Sequence, residues 1–203
     1  MLIYDDTFAT AMTATQAEAT ALGARAYGSE HVLLGLLVAD DGLTRQVVGS
    51  FPALTPAAVR DAVRGALDDA PHLARLGLAT PDPDPTASTG ATAGRQPRLK
   101  HLPELQSALN QASAKWAHLR KTGVVPKEGK VGSTVLWLAV LEQPARSPHL
   151  LRAMGIDPDG VRTAVLSAAV PAGTEAPAWP GEAPTGPVTR LVHRFFGRTI
   201  VAG

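Results

Sequence analysis

Gly28-Ser29-Glu30-His31-Val32-Leu33-Leu34-Gly35-Leu36-Leu37 decides the fold, because the chain repeats it as Gly132-Ser133-Thr134-Val135-Leu136-Trp137-Leu138-Ala139-Val140-Leu141. Gly and Ser open both copies, Leu34 is answered by Leu138, and the other apolar or small positions match in kind. A second echo trails each copy. Thr55-Pro56-Ala57-Ala58-Val59-Arg60-Asp61-Ala62-Val63 returns as Asp157-Pro158-Asp159-Gly160-Val161-Arg162-Thr163-Ala164-Val165. Two blocks in the same order, at nearly the same separation, mark a duplicated unit of about 70 residues.

Residues 4–22 place Tyr4, Phe8, Met12, Thr15, Ala19 and Leu22 three or four apart, the spacing of one helical face. Gly23 reads as the stop. Ser29 is the expected cap of a second helix. That helix carries Val32, Leu33, Leu34, Leu36 and Leu37, apolar on nearly every side, so its expected place is the centre of the protein. Asp40-Asp41-Gly42 breaks it, and a short helix follows near Leu43–Ser50. Thr55 with Pro56 starts a fourth, to about Leu67. The second unit repeats the plan. Leu102, Leu105, Leu109, Ala112, Trp116 and Leu119 form one stripe, and a Gly- and Lys-containing loop runs from Thr122 to Val131. Helices are then expected over Ser133–Leu141, over Pro148–Met154, and from Asp157-Pro158 onward.

The expected fold is all-α: eight helices in two pseudo-symmetric sets of four, residues 1–70 and 99–170, packed as one body. Residues 71–98, with Pro81-Asp82-Pro83-Asp84-Pro85, form a linker too poor in apolar surface to offset its chain entropy. A Pro- and Gly-rich stretch from Pro171 to Pro187 leads to a short basic and apolar tail, so 171–203 is read as linker and tail. In that tail Leu191, Val192, Phe195 and Phe196 share one helical face, a candidate for a partner groove, for a membrane surface that so short a segment would not hold stably, or for the chain's own helices.

The chain has 203 residues, of which 45% are apolar and 4% aromatic. A core of Ala, Leu and Val suits closely packed helices. The net charge of +1 gives no field to attract nucleic acid or an anionic membrane. Without cysteine there is no disulfide, thiol nucleophile or Cys-based metal site. The six histidines show no metal-type pairing. Met1-Leu2-Ile3-Tyr4-Asp5-Asp6 lacks the basic and apolar regions of a signal peptide, and no apolar run approaches the roughly 18–20 residues of a bilayer span. A cytoplasmic location is expected.

The order of motifs resembles the N-terminal domain of the Clp unfoldases, the double Clp repeat of the ClpA and ClpC type. Gly28-Ser29-Glu30-His31-Val32-Leu33-Leu34-Gly35-Leu36-Leu37 is similar to the family's Gly-Thr-Glu-His followed by Leu-Leu-Leu-Gly-Leu-Leu, and Gly155-Ile156-Asp157 to the turn before its last helix. The resemblance covers about residues 1–70 and 100–170. It implies a free-standing binding module without the family's ATPase modules. Such a module captures protein substrates or adaptors, in Clp-dependent proteolysis or quality control, either delivering them or acting as a decoy for a Clp unfoldase. No catalytic set, cofactor, nucleic acid or stable membrane binding is expected. The alternatives are a small enzyme with an unrecognised site and a helical nucleic-acid-binding protein.

The resemblance also implies a ligand site. In ClpC-type relatives the Glu of the motif helps bind phosphorylated arginine, which makes Glu30 the candidate here. A carboxylate grips a guanidinium by charge-assisted hydrogen bonds, and helix N-terminal amides receive a phosphate. The competing reading of Glu30 is a first-turn residue complementing the helix dipole. Tyr4 stands at the family's opening Phe, and Asp5 replaces the Thr that follows, which would repel a phosphate. Thr134 stands where the second unit should have its Glu. Two further patterns lack the geometry for chemistry. Gly123–Val131 has one residue too many for a phosphate-binding loop and Val131 in place of the hydroxyl. Ser29, Glu30 and His31 are adjacent, so they point in different directions from a helix start.

Overall fold

Asp5, in extended conformation, turns its carboxylate onto the Phe8 N–H at 3.0 Å and so starts helix α1 (Asp6–Ala21). Gly23, with φ of +69°, takes the chain out of that helix. This computed structural model describes residues 5–67, 99–125 and 132–181. The linker expected over 71–98, the tail from Val188 and loop residues 126–131 lie outside the described residues.

Seven more helices follow among the described residues, giving an all-α fold of eight. The first unit adds α2 (Ser29–Ala39), α3 (Gly42–Gly49) and α4 (Pro56–Leu67). The second holds α5 (Pro103–Lys121), α6 (Ser133–Val140), α7 (Ser147–Ala153) and α8 (Pro158–Ala168). The sequence signals act locally as expected at several starts. Thr55 Oγ1 accepts from the Ala58 N–H at 3.2 Å, and the Asp157 carboxylate accepts from Asp159 and Gly160. No periodicity announces the one strand pair among the described residues, Ala26–Tyr27 (β1) parallel to Lys100–His101 (β2), which ties the approach to α2 to the approach to α5.

The core forms around α2 and α6, the two helices without a polar face. Nine of the eleven residues of α2 and seven of the eight of α6 are buried. They pack on each other, α1 covers α2, α5 covers α6, and α3 of the first unit packs on α8 of the second. Leu33, Leu36, Leu136, Trp137 and Leu138 belong to one continuous cluster that spans both units. Burial of this kind contributes about 1.5–3 kcal/mol per large side chain, and neither unit can supply it alone.

Ser29 corrects the expectation placed on it. It is not the cap of α2; Gly28 is, and the Ser29 side chain makes no cap bond. Its buried hydroxyl instead accepts from the backbone N–H groups of Arg146 at 2.8 Å and Ser147 at 3.1 Å, at the start of α7. Ser133, its counterpart, donates its hydroxyl to Asp41, which caps α3. Each unit's motif serine thus holds the start of the other unit's short helix. Trp137 Nε1 adds a bond across the units to Thr44 Oγ1 at 3.1 Å. Residues 1–75 and 98–172 made separately are therefore expected to be poorly folded. Two independent cooperative thermal melts from those halves would contradict one body.

The stretch from Pro171, expected to be a linker, runs against α5 as far as Gly181. Lys115, 2% exposed, donates from Nζ to Glu142 Oε2 at 2.8 Å and to the Gly181 carbonyl at 3.0 Å. Trp179 donates from its indole to the same Glu142 oxygen at 2.9 Å and sets its ring 5.7 Å from Lys115 Nζ. Charge at both ends of a buried bridge, plus one aromatic, holds ten residues that form no helix or strand.

Candidate functional site

Glu30 occupies the first turn of α2, and its carboxylate folds back over Gly28. A Cβ at residue 28 would lie 2.6 Å from Glu30 Oε2, so the glycine is what lets the carboxylate settle there. Glu30 is 8% exposed, and in the first turn of α2 its charge also complements the helix dipole. Its Oε2 is buried with no hydrogen-bond partner, a costly state unless something outside the described residues meets it.

Glu30 lines a cavity of about 330 Å³ between the two units. Val63 and Ala66 of α4 and Leu150 and Ala153 of α7 give the cavity apolar walls, while Arg146 and His149 bring basic side chains to it. Arg146 is exposed, and its Nε lies 2.9 Å from Glu104 Oε1. The cavity therefore joins a carboxylate, an apolar floor and basic groups, the ingredients of a site for a side chain bearing both signs of charge.

Burial pushes the Glu30 carboxyl up. The hydrogen bond to His31, the Glu30 backbone N–H and the positive charges of His31 and Arg146 outweigh it, and the carboxyl sits below its ordinary value of 4.5. A carboxyl lowered on folding contributes stability above its unfolded value, and that stability is lost as pH falls through the folded value. Wild type is thus expected to lose stability below pH 4.5 in a step that Glu30→Gln lacks. Chemical unfolding of both proteins between about pH 3 and 7 checks this, and identical profiles would refute it.

His31 is the partner that sequence alone does not assign. Its Nδ1 lies 3.2 Å from the Gly28 N–H and 3.2 Å from Glu30 Oε1. A neutral ring accepts from Gly28, and a protonated one donates to Glu30; one nitrogen does not do both. Ser29 bonds to α7 and His31 turns to Gly28, so the three adjacent residues assemble no nucleophile and base. Among the described residues no group of three or more His, Asp or Glu is placed to hold a metal ion.

The other candidates lie elsewhere. Asp5 and Thr134 do not line the Glu30 cavity, and Tyr4 is outside the described residues. Asp5 caps α1 and also covers the start of α6, since a Cβ on Gly132 would meet Asp5 Oδ2 at 2.7 Å. Thr7 links the two helix starts: its hydroxyl donates to Asp5 Oδ1 at 2.7 Å and accepts from the Ser133 N–H at 3.0 Å. A carboxylate thus covers the motif glycine in both units. It comes from within the motif in the first unit and from the opposite unit in the second, where Thr134 supplies none. Two helix N-termini already share Asp5, so an anion has no charge advantage there.

Arg146 and His149 were not legible as site residues. They precede or begin a short helix, and only the packing of α7 against α2 brings them to Glu30. Among the described residues, no helix is long and apolar enough to cross a membrane. No protein-family model matches the chain, and no curated protein matches it in sequence.

Proposed function

We propose that this protein is a non-enzymatic binding module of the Clp N-domain kind, which captures protein segments or adaptors at the Glu30 cavity. Arginine-phosphorylated segments are the ligand class we assign to it. One observation carries the reading: Glu30, largely buried and with Oε2 lacking a hydrogen-bond partner, lines a cavity between the two units together with Arg146 and His149. A guanidinium pairs with the Glu30 carboxylate, the stem of the arginine covers Val63 and Leu150, and a phosphoryl group meets the basic side chains. Among the described residues the first unit holds this arrangement, and Asp5 covers the corresponding glycine in the second.

A binding titration against phosphoarginine-bearing casein tests the assignment. Glu30→Gln keeps the shape and loses the charge, so binding is expected to weaken by about 1.5–3 kcal/mol, roughly tenfold to a hundredfold in Kd. Thermal melts run in parallel separate lost binding from lost folding. No measurable binding by folded wild type would sink the phosphoarginine assignment.

A further inference from the structure

Trp179, Lys115 and Glu142 fix where the chain leaves the described structure. Gly181 is tied through its carbonyl to Lys115 Nζ, which is bonded to Glu142. Glu142 stands four residues before Arg146, which lines the Glu30 cavity. Four peptide units span at most about 15 Å and the side-chain bridge about 12 Å, so Gly181 lies within about 27 Å of Arg146. Residues 182–189 reach about 28 Å when extended, and the chain then reads Arg190-Leu191-Val192-His193-Arg194-Phe195-Phe196. Cations alternate there with large apolar side chains, two of the four Phe of the chain among them. The Arg and Phe side chains of this segment complement the Glu30 carboxylate and the apolar walls of the cavity, and they leave Arg146 and His149 without an anion.

We propose that Arg190–Phe196 is a ligand in cis for the Glu30 cavity, which an incoming protein segment must displace. The proposal rests on the reading of that cavity as a ligand site. The bridge at Lys115 acts as the anchor. A short tether holds its segment at an effective concentration in the millimolar range, so a segment with a Kd near 100 µM lowers the apparent affinity of a competitor about tenfold. The device sets a threshold: weak cationic segments do not enter, and those that fill the phosphate-facing side as well do.

The test uses the full chain and a full-chain variant with Arg190→Ser, Arg194→Ser, Phe195→Ala and Phe196→Ala. The probe is a fluorescent synthetic peptide of residues 188–200. The variant is expected to bind it about tenfold more tightly than wild type does, and adding Glu30→Gln to the variant should abolish the gain. Equal affinity for wild type and variant overturns the proposal, as does absence of peptide binding. A gain that survives Glu30→Gln also overturns it, since the segment then sits on another surface. Phosphoarginine-bearing casein titrated against the tail variant keeps the two readings apart. Casein bound without the peptide leaves the cavity assignment standing and removes the cis ligand; neither bound removes both.

Discussion

Glu142→Ala is expected to destabilise the protein by about 3–5 kcal/mol, the usual cost of leaving a buried charge without its partner. Lys115 Nζ would keep only the Gly181 carbonyl among its two hydrogen-bond acceptors, and the Trp179 indole would lose its own. Chemical unfolding followed by far-UV circular dichroism gives the loss. Tryptophan emission in the folded baseline, compared with that of Trp179→Phe to isolate Trp179 from Trp116 and Trp137, reports whether residues 172–181 have come away. The pair is not a source of net stability by itself. Lys115→Met with Glu142→Leu should cost less than Glu142→Ala alone, because desolvating two charges offsets most of their attraction. A loss below about 1 kcal/mol for Glu142→Ala would mean that water reaches Lys115.

Gly35→Ala is expected to cost about 3 kcal/mol, the upper end of what one added carbon does in a packed core. A Cβ there would lie 2.2 Å from Thr15 Oγ1, 2.6 Å from the Thr15 backbone nitrogen and 2.7 Å from the Ala11 carbonyl oxygen. Two of those three atoms are backbone, so the strain is not relieved by a rotamer change; α1 must move off α2. The second unit carries Ala139 at the matching place, fully buried between its own helices. Ala139→Gly is accordingly expected to cost only the helical penalty of glycine, about 1 kcal/mol. Equal effects at 35 and 139 would refute the closer approach of α1 and α2.

The helices were legible because their causes are local. Leu33, Leu34, Leu36 and Leu37 leave α2 no polar face, and the matching run from Val135 to Val140 does the same for α6, which is enough to place both at the centre. Thr55, Asp157 and Gly23 act on neighbours within five residues, and the structure shows each doing what its type prefers. Ser29 shows where such reasoning stops. A serine before an apolar run reads as a cap, but its partners lie 117 and 118 residues away. Lys115 falls by spacing on the buried stripe of α5, three residues after Ala112 and four before Leu119, but its charge finds partners only because Glu142 and Trp179 come to it from elsewhere. At the candidate site, Glu30 was legible through its motif, while its burial and its companions Arg146 and His149 depend on how α7 docks.

The exchanged serines carry a consequence for ancestry. Ser29 reaches the start of α7 and Ser133 reaches the start of α3, so the same patch is used from both sides. Such reciprocity is the signature of an isologous contact, the kind that relates two identical subunits about a two-fold axis. A chain of one unit would satisfy these bonds only by meeting a second copy of itself. In a single chain the two halves need not be identical, and they differ where Thr134 stands opposite Glu30. A symmetric pair of identical chains would have to carry the same residue at both places, whereas one polypeptide can place a carboxylate in one half only.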